Sequence, residues 1–424
     1  MMKYLLTIPL ILLLASIGYA QFTPNYDEDK IPKYTLPEIL VSEQYGKTKN
    51  VKDWESKRRP EILDIFTQQM FGAIPDVPYT LDFKTLKEGI PILSGKALLK
   101  EEIITISTAN GSLSYNLMIL TPNSDGPFPC FLTINFYGNE TLLDDKNITI
   151  SDAWARDNEE FGVINNKATE ASRGVRASRW DIDAIIDRGY AIASVYYGEL
   201  DPDYDDGFQN GLHPLFYKNG QKTPAPNEWG SIGAWTFGLS RAMDYLETDP
   251  LIDSKKVAVM GHSRLGKTSL WAGATDERFA IVISNDSGCG GAALSRRAFG
   301  ETVGRINTAF PHWFNDNFTA YNENESALPM DQHMLLALIA PRALYVASAV
   351  EDRWADPKGE FLSTYLANPA YKLYKEKSIS DPEMPGVDQP KVVGKTGYHV
   401  RSGGHDVKAY DWAQYLDFAD TIFK

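Results

Sequence analysis

The chain has 424 residues, 43% hydrophobic and 23% charged, an ordinary folded composition with room for one large α/β domain or two smaller ones. Its formal net charge of −14 argues against nucleic acid as a partner, because a phosphate backbone demands clustered Lys and Arg. Six scattered histidines and two cysteines, with no Cys-x-x-Cys or His-Glu-x-x-His, offer no metal-ligand spacing, so neither a metal nor another cofactor is expected.

In chain order, Lys3, the apolar run Leu5 to Ile17 and the small-residue ending Gly18-Tyr19-Ala20 read as a secretory signal cleaved before Gln21. The apolar run is shorter than the roughly 20 residues a bilayer span needs, and no later segment is long and apolar enough to be a membrane helix. The expectation is a signal peptide over 1–20 and a secreted or periplasmic single domain over 21–424, without membrane contact and monomeric. Two thiols, Cys130 and Cys289, are no disulfide framework of the small-domain kind; Cys130 opens an apolar strand and reads as a buried thiol, and pairing of the two stays open. Residues 21 to about 60 are polar and proline-punctuated, an arm wrapping the domain. A helix follows, with Pro60 in its first turn.

Six apolar runs then predict strands: 113–122, 129–138, 190–198, 256–263, 278–286 and 342–352. They lack strict alternation, as expected of strands buried on both faces of a parallel sheet. Helical patterns separate them, notably RWDIDAIIDRGY and SIGAWTFGLSRAMDYLETD. This alternation predicts a three-layer α/β/α sandwich with a mostly parallel central sheet. Residues 139–175 fit neither period and read as a long insertion, and DPDYDDGFQNGLHPLF (201–216) follows the third run. Both are candidates for lining a cleft at the C-terminal ends of the strands.

The chemistry concentrates in VAVMGHSRLGKTSL (257–270). Ser263 stands between an apolar strand and a helical run, flanked by Gly261 and Gly266, the setting of a nucleophile on a sharp strand-to-helix turn. The same residues match the phosphate-loop pattern G-x-x-x-x-G-K-[ST] literally. Bulky His262 and Arg264 inside the loop, and its place two-thirds along an exported chain, speak against nucleotide binding. A serine nucleophile needs a histidine base and an orienting acid. Of the downstream histidines His312, His333, His399 and His405, the last lies in the glycine-rich loop Ser402-Gly403-Gly404-His405-Asp406 before a terminal helix, where α/β-hydrolases keep their base. His399 falls in a predicted strand and reads as structural. Two acids compete: Asp286, closing the fifth run, and Asp352, closing the sixth.

These residues carry a family resemblance. Gly261-x-Ser263-Arg264-x-Gly266-Lys267, Asn285-Asp286-Ser287-Gly288-Cys289-Gly290-Gly291, Phe299-Gly300-Glu301, Asp352-Arg353-Trp354-Ala355-Asp356-Pro357 and Gly403-Gly404-His405 resemble, in order, the motifs of the glucuronoyl esterases, carbohydrate esterase family 15. The resemblance spans roughly residues 40 to 424 and implies an α/β-hydrolase fold. It also implies hydrolysis of the ester joining a (4-O-methyl-)glucuronic acid branch of xylan to a lignin alcohol. On this footing Ser263 is the nucleophile, His405 the base and Arg264 an oxyanion donor, while Lys267, Glu301 and Trp354 hold the sugar. Asp286 replaces a commoner Glu, and His262 stands where some relatives have Cys and reads as packing. The reading favoured here has Asp286 and Asp352 share the duty of orienting acid, with both carboxylates near His405. Other carbohydrate esterases (acetyl xylan or feruloyl) and a catalytically silent glycan-binding protein are the alternatives.

Overall fold

The structure, a computed structural model, describes residues 22–424; the expected signal peptide lies outside the described residues. At its centre is a ten-stranded sheet of β1 (Thr80–Ile92), β2 (Ala97–Thr108), β3 (Gly111–Pro122), β4 (Phe128–Asn135), β5 (Ala191–Tyr196), β6 (Ile252–His262), β7 (Ile281–Asn285), β8 (Ala343–Ala349), β9 (Lys391–Val393) and β10 (Thr396–Arg401). Their spatial order is 9-10-8-7-6-4-5-3-2-1. The contiguous strands β10, β8, β7, β6, β4 and β5 run parallel. β3, β2 and β1 extend one edge antiparallel, and β9 caps the other.

Each of the six apolar runs forms a strand, and the reason is burial on both faces. Along β6, Val257 and Val259 enter one core while Ala258 and Met260 enter the other. On the first face lie α1 (Arg59–Phe66), α3 (Ser231–Leu246), α4 (Arg264–Thr275), α5 (Gln332–Ala337) and α6 (Pro357–Leu366), which contribute Phe66, Trp235, Trp271, Leu335 and Phe361. On the second lie α2 (Ile182–Asp187) and α7 (Ala409–Phe423), which contribute Ile185, Trp412 and Phe418. The result is three layers.

The first helical stretch starts earlier than Pro60. It runs through residues 51–71, with π turns Trp54–Arg58 and Thr67–Phe71 flanking α1. Pro60 has no N–H to give, and the wide turn just before it lets the chain pass this point without breaking. Residues 139–175 carry three 3₁₀ turns and one two-residue strand pair, Val163–Ile164 with Lys167–Ala168. Cys130 and Cys289 are both unpaired and buried.

Candidate active site

Ser263 joins β6 to α4 with φ 58° and ψ −129°. A residue with a side chain held there stores about 1–3 kcal/mol, so its neighbours must fix it. The Ser263 N–H donates to Asn285 O at 2.8 Å, and the Gly266 and Lys267 N–H groups donate to Ser263 O at 2.9 and 3.2 Å. Gly261 is required beneath the turn, since a Cβ there would lie 1.9 Å from Leu265 O. Gly266 faces the exit of β7, where an added Cβ would meet Ser287 Cβ at 3.0 Å and Asn285 O at 3.1 Å. The second glycine thus serves the packing of α4 on the next strand. Lys267 turns inward instead of toward a phosphate: its Nζ is buried and donates to Ser287 O at 2.6 Å.

The eight residues singled out in the sequence come together. Ser263, Arg264, Lys267, Asp286, Glu301, Asp352, Trp354 and His405 all line one cavity of about 330 Å³, with Phe310 and Trp313 completing its wall. His405 Nδ1 lies 2.6 Å from Asp352 Oδ2. Its ring is partly exposed and packs on the buried His262 ring at a centroid distance of 4.5 Å. Burial, and then the charges of His405 and Arg179, hold His262 well below the ordinary imidazole range, so it stays neutral. His399 lies in β10, its Nε2 2.8 Å from Asp411, away from this cavity.

The two acids differ in how they are used. Asp286 closes β7 and accepts the Ala349 N–H at 2.7 Å; its second oxygen faces Arg401 at 3.6 Å. Asp286, Asp352 and His405 each bring one oxygen or nitrogen within 4.8 Å of the others. The imidazole and the Asp352 carboxylate are already engaged with each other, so this cluster is an acid–base set more than a vacant ligand set. Burial, together with Glu360 and Asp352, pushes Asp286 well above the usual carboxylate range. Asp352 alone of the two contacts His405 directly.

Several residues of the site had no signal in a motif. Asp203, in the acidic stretch after β5, pairs with the Arg264 guanidinium through Oδ2. Its Oδ1 lies 2.9 Å from His312 Nε2 and accepts the Trp313 indole N–H at 2.7 Å, while the Tyr197 hydroxyl donates to Oδ2 at 3.1 Å. Burial opposes the charge, but the hydrogen bond from His312 and the Arg264 cation win and hold Asp203 well below the carboxylate range. The Arg264 guanidinium lies 4.7 Å from the Trp313 ring, and its Nε–H is buried without a partner. Glu360 accepts the Ser287 and Gly288 N–H groups at 2.8 and 2.9 Å and the Ser348 hydroxyl at 2.6 Å, tying the loop after β7 to β8. Across the cavity the Glu301 N–H donates to Trp354 O at 3.0 Å, and the Trp354 side chain hydrogen-bonds to the Glu301 carboxylate.

A serine on a strained turn at the ends of parallel strands, sharing a cavity with a carboxylate-held histidine, is the arrangement of the α/β-hydrolases, and the chain is a hydrolase of that class. A family model described as glucuronyl esterase, fungi, matches residues 209–375. A carbohydrate esterase from an unknown prokaryotic organism is 50% identical over 398 residues, covering 93% of this chain and 91% of the relative. A 4-O-methyl-glucuronoyl methylesterase of Thermothelomyces thermophilus is 28% identical over 78% of this chain and 70% of its own length. Among solved structures, a promiscuous esterase of the same family from a marine bacterial metagenome superposes with a TM-score of 0.88 at 48% identity, covering 95% of this chain and 100% of that one. The glucuronoyl esterase of Solibacter usitatus gives 0.87 at 43% identity, covering 93% and 100%. The chain belongs to carbohydrate esterase family 15, the glucuronoyl esterases, and is a carboxylic ester hydrolase.

Proposed function

We propose that the protein is an exported, monomeric serine esterase that cleaves the ester between a (4-O-methyl-)glucuronic acid branch of xylan and a lignin alcohol. Ser263 Oγ attacks the uronoyl carbonyl while His405 takes its proton. Asp352 on Nδ1 fixes the imidazole tautomer and stabilises the imidazolium, with Asp286 close behind. The tetrahedral oxygen takes the negative charge, and a guanidinium beside the nucleophile adds a full positive charge to its stabilisation. His405 then returns the proton to the leaving alcohol, and a second round with water releases the uronic acid. Lys267, Glu301 and Trp354 hold the sugar.

One observation carries this reading. The cavity that holds Ser263 and His405 also takes in a cation beside the nucleophile, Arg264, held there by Asp203. A charged donor preorganised beside the reacting carbonyl stabilises the oxyanion as it forms. Support comes also from the Solibacter relative named as a glucuronoyl esterase. Ser263→Ala tests the reading: the variant should fold, bind xylan-derived uronates and lose hydrolysis of a methyl glucuronate by about 10⁴-fold or more. Retained hydrolysis would refute it. The marine relative described as promiscuous favours a second reading, in which acetyl and cinnamoyl esters are also accepted.

A further inference from the structure

Residues 22–30 cross the back of the cavity wall and hold two loops that are far apart in sequence. Asn25 O accepts the Gly300 N–H at 2.8 Å. The Tyr26 carbonyl accepts from the Arg353 guanidinium, which also stands 5.0 Å over the Tyr26 ring, and that ring packs edge-on against Phe299 at 5.9 Å. Glu28 pairs with Arg297 at 2.6 Å and with Lys358 at 2.8 Å. At the start of the described chain, the Phe22 ring meets the Trp354 indole edge-to-face at 6.0 Å, with the Arg305 guanidinium 5.7 Å from Phe22.

Every one of these contacts lands on residues 297–305 or 353–358. Those are the loops that carry Glu301 and Trp354 into the cavity. The loops lie backbone to backbone, since a Cβ on Gly300 would sit 2.4 Å from Trp354 O. Trp354 belongs to a single 3₁₀ turn, Arg353–Ala355, too short to fix an indole by its own hydrogen bonds. Its indole is therefore set by tertiary contacts, with the Glu301 side chain and with the Phe22 ring.

We infer that Phe22 is a positioning residue: the N-terminal arm braces Trp354 from outside the cavity and sets the indole face against which the sugar ring binds. This rests on the uronate reading above. A brace of this kind acts on ground-state and transition-state binding alike, so it lowers KM and leaves the acyl-transfer step alone. Immobilising one large side chain before binding is worth roughly 3- to 10-fold in affinity.

The experiment compares the full chain with Phe22→Ala and Phe22→Tyr on two substrates, a methyl ester of glucuronic acid and p-nitrophenyl acetate, which has no sugar ring to place on Trp354. The inference predicts that Phe22→Ala raises KM for the uronate about 3- to 10-fold with kcat within twofold. Rates on the acetate and the melting temperature should not move, and Phe22→Tyr should restore the uronate KM. A wild-type uronate KM in Phe22→Ala overturns the inference, and so do equal losses on both substrates. Wild-type protein that cleaves the acetate but not the uronate overturns the substrate reading, and this inference with it.

Discussion

Asp203 and Arg264 form an ion pair directly beside Ser263, although 61 residues separate them in sequence. The carboxylate has only 3% of its side chain exposed and spends its other oxygen on His312 and Trp313. The pair aims the guanidinium: the cation is held by one N–H on Asp203 and lies 4.7 Å from the Trp313 ring, in the wall of the cavity that Ser263 also lines.

Asp203→Asn is therefore expected to lower kcat/KM on a uronate ester by about 10- to 100-fold, because Arg264, the oxyanion donor of the proposed mechanism, loses its orientation. The same change leaves a largely buried guanidinium without its counter-charge, a loss of about 3 kcal/mol in denaturant unfolding. Steady-state kinetics and urea titrations check the two together. Lost stability with unchanged kcat/KM would make Asp203 a structural residue only.

The two acids should separate. Asp352 touches His405 Nδ1, so Asp352→Asn, which favours the wrong tautomer, should cost kcat about 10³-fold or more. Asp286 is already held toward its neutral form by burial and by Glu360 and Asp352, so Asp286→Asn should cost less than about tenfold at pH 7. Kinetics on both variants decide this. Near-total loss in each would mean that the carboxylates share the histidine equally.

Glu360 gives the fold a pH signature. Burial pushes it up to about 8, against 4.5 for the ordinary side chain. Between those values the folded chain keeps a proton that the unfolded chain has released, so stability is greatest at the acid end and falls as pH rises toward 8. Glu360→Gln removes that titration while keeping a hydrogen-bonding group against Ser287, Gly288 and Ser348. From pH 5 to pH 8 the wild-type melting temperature should fall by about 2–4 °C more than that of Glu360→Gln. Identical slopes would show that Glu360 does not carry the effect. Asp286, raised in the same direction, leaves a residual slope in both proteins.

What the sequence revealed follows from where burial and motifs coincide. Five of the six parallel strands, β4 to β8, and the antiparallel β3 beside them read as apolar runs because they are buried in the sheet, whereas the parallel β10 gave no such run. The antiparallel edge strands β1 and β2 gave none either, because ALLKEEIITIST and TLDFKTLKEGIPI carry charges in strand. Glu101 is fully buried there and is satisfied by Lys87 at 2.9 Å and by the Thr149 N–H at 2.7 Å, partners no local pattern announces. The site divides the same way. Ser263, Arg264 and Lys267 share one turn and its motif, and His405 sits in its glycine loop. Asp203, Trp313 and Glu360 act only through contacts across the fold. The acidic stretch after β5 pointed to a cleft without saying which of its aspartates would face Arg264.

The central claim is that Arg264, Lys267, Glu301 and Trp354 fit this serine esterase to a uronic acid ester. The most direct measurement is kcat/KM of the purified protein on a methyl ester of 4-O-methyl-glucuronic acid beside an acetylated xylose. A site built around the uronate's polar groups should favour the uronate ester by about 100-fold or more. Equal rates on the two, or a preference for the acetylated sugar, would contradict the account.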